Sequence, residues 1–172
     1  MTSVEVRVKL PDELKPALVD DWDLINRQRK LPVVPARVTV DTILADYIKA
    51  KTSTKSITPN KESAVQEVVA GLREYFNVML GTQLLYKFER PQYADILQEH
   101  KDKQASDIYG FIHLIRLFGK LIEKIGGSGV DFVEDFYVII MPQHALCCTQ
   151  SMPYEILKGS KSHATQCCRA PR

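Results

Sequence analysis

The sequence predicts an all-α domain. Apolar residues recur at spacings of three and four along most of the chain, prolines and capping residues fall between those stretches, and strict apolar–polar alternation is confined to residues 1–10. At 172 residues and 45% hydrophobic composition the chain is long and apolar enough for one sizeable core, so length favours one domain over two.

The elements follow in order. Val4, Val6, Val8 and Leu10 alternate with Ser3, Glu5, Arg7 and Lys9. A lone strand needs a partner, so residues 1–10 read as an N-terminal arm. Leu14, Leu18, Trp22 and Ile25 form one face of a first helix. It is expected to begin at or just after Lys15, because a proline such as Pro16 is tolerated only in the first turn, and Pro32 and Pro35 mark its end. Thr39 caps a second helix with Ile43, Leu44 and Tyr47 on its apolar side, and the polar stretch from Lys51 to Thr58 reads as a loop. Thr58–Pro59 opens the third and strongest helix, in which Val65, Val69, Leu72, Phe76 and Met79 step by four, three, four and three. Val68, Tyr75 and Leu80 widen that stripe, which implies burial against more than one neighbour. Gly81 ends or loosens it.

Gln83 to Phe88 reads as a short turn, Arg90–Pro91 restarts the chain, and Tyr93, Ile96 and Leu97 suggest a short helix. After a polar break at His100–Ser106, the series Ile108, Ile112, Ile115, Phe118, Ile122 and Ile125 predicts a central helix stopped by Gly126–Gly127. Phe136–Met141 is an apolar run compatible with a short strand or a helical turn. Beyond Pro142 periodicity is lost. The expected organisation is therefore an arm at 1–10, a helical domain at 11–141 and a poorly structured tail at 142–172.

Composition and motifs exclude most catalytic classes. The chain has no Gly-rich phosphate loop, no HExxH pattern and no Gly-x-Ser-x-Gly elbow, and Gly126–Gly129 lacks the lysine and hydroxyl of a P-loop. No catalytic residue, cofactor or metal is expected. Asp20, Asp21 and Asp23 do not converge with further ligands and read as solvated helix carboxylates. His144, Cys147, Cys148, His163, Cys167 and Cys168 invite a zinc reading, but adjacent cysteines substitute poorly for a Cys-x-x-Cys pair, and exposed thiols are the simpler account. Clustering of all four cysteines after residue 146 does not resemble a secreted disulfide scaffold. No signal peptide is read at the start, and no apolar run approaches the ~20 residues of a membrane span. A net charge of +2 with mixed signs leaves Arg27, Arg29, Lys30, Arg37, Lys49, Lys51 and Lys55 as a solvated face, and direct nucleic-acid binding is not expected.

Two stretches carry a specific likeness. Leu14–Ile25 reads LKPALVDDWDLI, and Glu67–Glu89 reads EVVAGLREYFNVMLGTQLLYKFE, followed by Arg90, Pro91, Gln92 and Tyr93. Together they resemble the MRG domain of the mortality-factor-like chromatin proteins, from about Leu10 to about Leu121. The resemblance implies an MRG-type helical fold and a non-catalytic adaptor in nuclear histone acetyltransferase or deacetylase complexes. Expected partners are an MRG-binding protein or histone deacetylase-complex factors, with roles in transcription and DNA repair. It assigns a hydrophobic partner-binding surface to Leu10, Leu18, Val19, Trp22 and Tyr86. Packing of the third helix on the first is expected to bring Tyr86 near Trp22, although helical spacing alone equally allows Trp22 to be a core residue.

The sequence also departs from the family pattern. Ala17 stands where the family carries a tryptophan. The chain has no room for the chromodomain of longer members, so direct methyl-lysine reading is not expected. From Gly126 the sequence looks foreign, as in a truncated or alternatively spliced form. On that reading the apolar faces of residues 65–80 and 108–125 would be left partly exposed, and the alternatives are a weakly stable domain with little independent binding or a weak, non-specific nucleic-acid binder.

Overall fold

The first helix, α1 (Leu14–Asn26), places Pro16 in its opening turn, where a missing N–H costs nothing. A computed structural model describes residues 12, 14–53, 58–125, 135, 136, 138–140 and 154–156. The arm at 1–10, most of the expected tail and all the histidines and cysteines of the zinc reading lie outside those residues.

Thr39 caps α2 (Val40–Thr52), its hydroxyl accepting from the Thr42 N–H at 3.4 Å, while Asp41 in the first turn and Lys49 and Lys51 in the last match the helix dipole. The helix runs through Lys51, which the sequence reading placed in a loop. α3 (Pro59–Met79) begins at Pro59 and buries Val69, Leu72, Phe76 and Met79. Its buried stripe is narrower than expected, since Val68 is exposed and Tyr75 only half-buried.

Of the two outcomes expected at Gly81, loosening is the one observed: α3 runs on into a wider, π-helical turn, Leu80–Leu84. Gly81 admits the Tyr93 ring, because a Cβ there would lie 2.8 Å from the Tyr93 hydroxyl. Arg90 donates to the carbonyls of Gly81 and Thr82 at 3.3 and 3.5 Å, capping this end with positive charge. A 3-10 turn, Lys87–Glu89, leads directly into α4 (Arg90–Glu99). A second 3-10 turn, Ala105–Asp107, is docked onto α3 by Asn77, which accepts from the Ser106 N–H at 2.8 Å and donates to Gln104 at 3.0 Å.

α5 (Phe111–Ile125) is the centre of the core. Every residue from Phe111 to Phe118 is buried, as expected of a helix enclosed on all sides. α1, α2 and α3 all pack against it. The expectation that this face stands partly exposed is therefore overturned for residues 108–118. One reason lies beyond Gly126: residues 135, 136 and 138–140 are helical, and Phe136 is buried with its ring centroid 4.8 Å from Tyr47 and 5.1 Å from Phe118. Ile140 is fully buried beside the same cluster. Lys51 pairs with Asp135 at 2.7 Å, tying this segment to the end of α2.

Strands are minimal. β1 (Lys30–Pro32) pairs antiparallel with β2 (Tyr154–Ile156), Leu31 opposite Glu155, so three residues of the expected tail are held against the segment after α1. The link between β1 and α2 is stitched to the start of α5 through Ala36 N–H to Ile108 O at 2.7 Å, Val40 N–H to Tyr109 O at 2.9 Å, and a bridge between Thr39 and Gly110. No side chain larger than hydrogen fits at Gly110, where a Cβ would lie 2.8 Å from Ala36 Cβ and 2.9 Å from Val38 O. The described residues thus form the all-α architecture that the sequence predicts.

Candidate protein-binding surface

α1 separates its residues into two faces. Leu14, Asp21 and Ile25 are buried against the rest of the domain, and Leu18 packs on the core's edge. Leu18 reaches α5 at Gly119, where a Cβ would stand 3.9 Å from its Cδ1. On the other side Val19 and Trp22 are 64% and 48% exposed, one helical turn apart. Trp22 is thus not a core residue in this chain. An indole and an isopropyl group are held outward on a helix whose back is anchored, so the backbone that carries them is already ordered.

The back of α1 is anchored by charge. Asp21 is 1% exposed, against the expectation that it is a solvated carboxylate. It accepts two hydrogen bonds from Arg116 of α5, from Nε and Nη2, both at 2.8 Å. The same guanidinium donates through Nη1 to Glu89 at 2.7 Å and to the Leu84 carbonyl at 3.0 Å. Glu89 also accepts from the Tyr86 N–H at 2.8 Å and lies 3.0 Å from Nε2 of His113. Tyr86 spreads its ring over the Arg116 guanidinium, 4.3 Å from centroid to carbon. Asp20 and Asp23 differ from Asp21: Asp20 is exposed, and Asp23 takes hydrogen bonds from Arg27 and Gln28 at 3.0 and 2.9 Å.

Protonation in this cluster is set by burial against pairing. Burial pushes Glu89 up, but the hydrogen bond from His113 and the charge and hydrogen bonds of Arg116 outweigh it and hold the carboxyl well below its ordinary value. Burial, reinforced by the neighbouring guanidinium, pushes His113 below its ordinary value. At neutral pH the ring is therefore uncharged, with Nε2–H donating to Glu89. Burial pushes the Arg116 guanidinium down, but its carboxylate partners raise it on balance, so it stays charged. Nothing here resembles an acid–base pair open to a substrate: all four charged or ionisable groups are enclosed and mutually satisfied.

Of the predicted site residues, the structure puts Val19 and Trp22 on the exposed face of α1 and Leu18 at its edge. Tyr86 is half-buried, in the turn before Glu89, with its ring on the guanidinium that also holds α1. Leu10 lies outside the described residues. Sequence reasoning missed Asp21, Glu89, His113 and Arg116. The signal was there: Asp21 sits at helical spacing from Leu14, Leu18 and Ile25, and His113 and Arg116 interrupt the otherwise apolar FIHLIRLF at a spacing of three.

The basic cluster is partly spent on local contacts, with Arg27 on Asp23 and Arg29 5.2 Å from the Phe88 ring centroid. Among the described residues no group of histidine, cysteine, aspartate or glutamate is arranged to hold a metal, and no helix is long and apolar enough to cross a membrane.

The MRG family model matches residues 1–132, further along the chain than the likeness read to Leu121. Over 131 residues the chain is 63% identical to human mortality factor 4-like protein 1, covering 76% of this chain and 36% of that protein. The Pongo abelii protein of the same name is equally similar, with 40% of its length covered. Human mortality factor 4-like protein 2 is 59% identical over 128 residues, which are 74% of this chain and 44% of the relative. The aligned stretch thus spans less than half the length of each of these curated relatives.

Proposed function

The chain belongs to the MRG family, and on that premise we propose that it is a non-catalytic adaptor that binds protein partners through Leu18, Val19, Trp22 and Tyr86, with Leu10 extending the surface along the incoming arm. The observation that carries this reading is the pair Val19 and Trp22, held outward on a helix whose opposite face is anchored by charge. A partner segment would lay aliphatic or aromatic side chains against Trp22 and the exposed part of Tyr86. The fitting setting is a chromatin-associated, nuclear one, in an acetyltransferase or deacetylase assembly, with an MRG-binding protein as the first partner to try. The adaptor works without a cofactor and without directly contacting nucleic acid.

The test is a titration of the W22A and Y86A proteins, each first shown to be folded by circular dichroism, with an MRG-binding protein. Truncating Trp22 is expected to cost on the order of 2 kcal/mol of binding. Unchanged affinity in both folded variants would reject the surface.

A further inference from the structure

The surface residues sit on two separate elements, α1 and the turn before Glu89, and one buried side chain touches both. We infer that Arg116 is the positioning residue of the partner-binding surface, fixing Trp22 and Tyr86 relative to one another. This rests on the surface proposed above. Arg116 is 6% exposed, too buried to meet a partner itself, so it acts through its neighbours.

Its planar group is used on every side. The Nε–Nη2 edge holds Asp21, the residue that precedes Trp22. Nη1 holds Glu89, whose carboxylate in turn receives the Tyr86 N–H, and Leu84 O, which closes the π-helical turn before Tyr86. The face carries the Tyr86 ring at 4.3 Å. Moving any one of these partners costs hydrogen bonds to the others, so the two aromatic residues are locked to a common reference. A lysine at this position would keep the charge and lose both the bidentate edge and the stacking face. A well-packed apolar cluster could have supplied comparable stability; what it would lack is directional bonding to two elements at once.

The test uses the full chain, with the MRG-binding protein named above as titrant. R116K is compared with wild type by partner titration, by the NMR shifts of selectively labelled Tyr86 and by the emission of Trp22, the chain's one tryptophan. The expected result is a folded variant with displaced Tyr86 resonances and affinity lowered about tenfold. Adding Y86A in the R116K background should then cost less than Y86A costs in wild type, because the two act through one ring. A merely structural arginine predicts an earlier melt, unchanged affinity below that melt and an undiminished cost of Y86A; that result overturns the inference. Should R116K not fold, D21N, which keeps the shape and removes the charge, is expected to shift Trp22 emission and weaken binding several-fold. Unchanged emission and affinity in folded D21N overturns it. The two readings fail differently. If W22A and Y86A lose binding while R116K and D21N retain it, the surface stands and the positioning role falls. If W22A and Y86A bind as wild type, both fall.

Discussion

Asp21 and Trp22 are neighbours in sequence and opposites in environment: the carboxylate is 1% exposed and the indole 48% exposed. Hydropathy ranks them the other way round. Burial here follows available partners. Asp21 faces a guanidinium that satisfies both its oxygens, whereas about half of Trp22 stays open to solvent. The contrast separates two tasks in one helical turn: the inner face fixes where α1 lies, and the outer face presents what α1 carries.

Breaking the inner half should have the largest effect. Arg116→Met leaves Asp21 and Glu89 as buried carboxylates without their cation, and an uncompensated buried charge typically costs about 3–5 kcal/mol. Urea unfolding is expected to show that loss or no folded state at all. A midpoint equal to wild type would mean that the network contributes nothing.

Acid should act on the same half less abruptly. Glu89 titrates near its ordinary 4.5 in the unfolded chain and at about 2 in the folded one, so its contribution is complete above 4.5 and drains away as pH falls toward 2. His113 adds to the loss, beginning earlier, because the unfolded chain takes up a proton near 6.5 while the buried ring resists it. Asp41 works in the opposite direction, raised first by burial and then by its hydrogen bond with Asp107, but it is partly exposed and weighs less. Urea midpoints are therefore expected to fall from pH 7 to pH 3, and a flat profile would contradict this assignment of charges.

The outer half should behave inversely. Trp22→Ala is expected to change unfolding stability by no more than about 0.5 kcal/mol, as for other exposed positions, while binding suffers. A large stability loss would place the indole among the core residues after all. A small effect of opposite sign is expected between the halves. Gly119→Ala adds a Cβ at ordinary contact distance from Leu18 and should stabilise α5 by roughly 0.5–1 kcal/mol. Destabilisation there would show that Leu18 needs the open space.

The helices were legible because periodicity and prolines mark them locally: Thr39, Pro59 and Arg90–Pro91 stand where α2, α3 and α4 begin. The turn after Met79 was less so, since Gly81 as a stop and Gly81 as a seat for the Tyr93 ring look identical in a linear string. Val19 and Trp22 could be named from the family likeness, but not assigned to the exposed face by spacing, because residues 21 and 22 flank the same stripe. The buried network was illegible for a simpler reason. Asp21 and Arg116 are 95 residues apart, and a charge announces that it is buried only when its partner is known.

Phe136 has a consequence of its own. It is wedged between Tyr47 and Phe118, yet it lies outside the stretch that matches the family. Sequence free to drift from a family's pattern is still answerable to the vacancy it must fill. At this position the demand is for bulk and apolarity, so many unrelated segments would serve if they delivered one large ring to that spot. The family match ends at residue 132, whereas the packed core still includes Phe136 and Ile140.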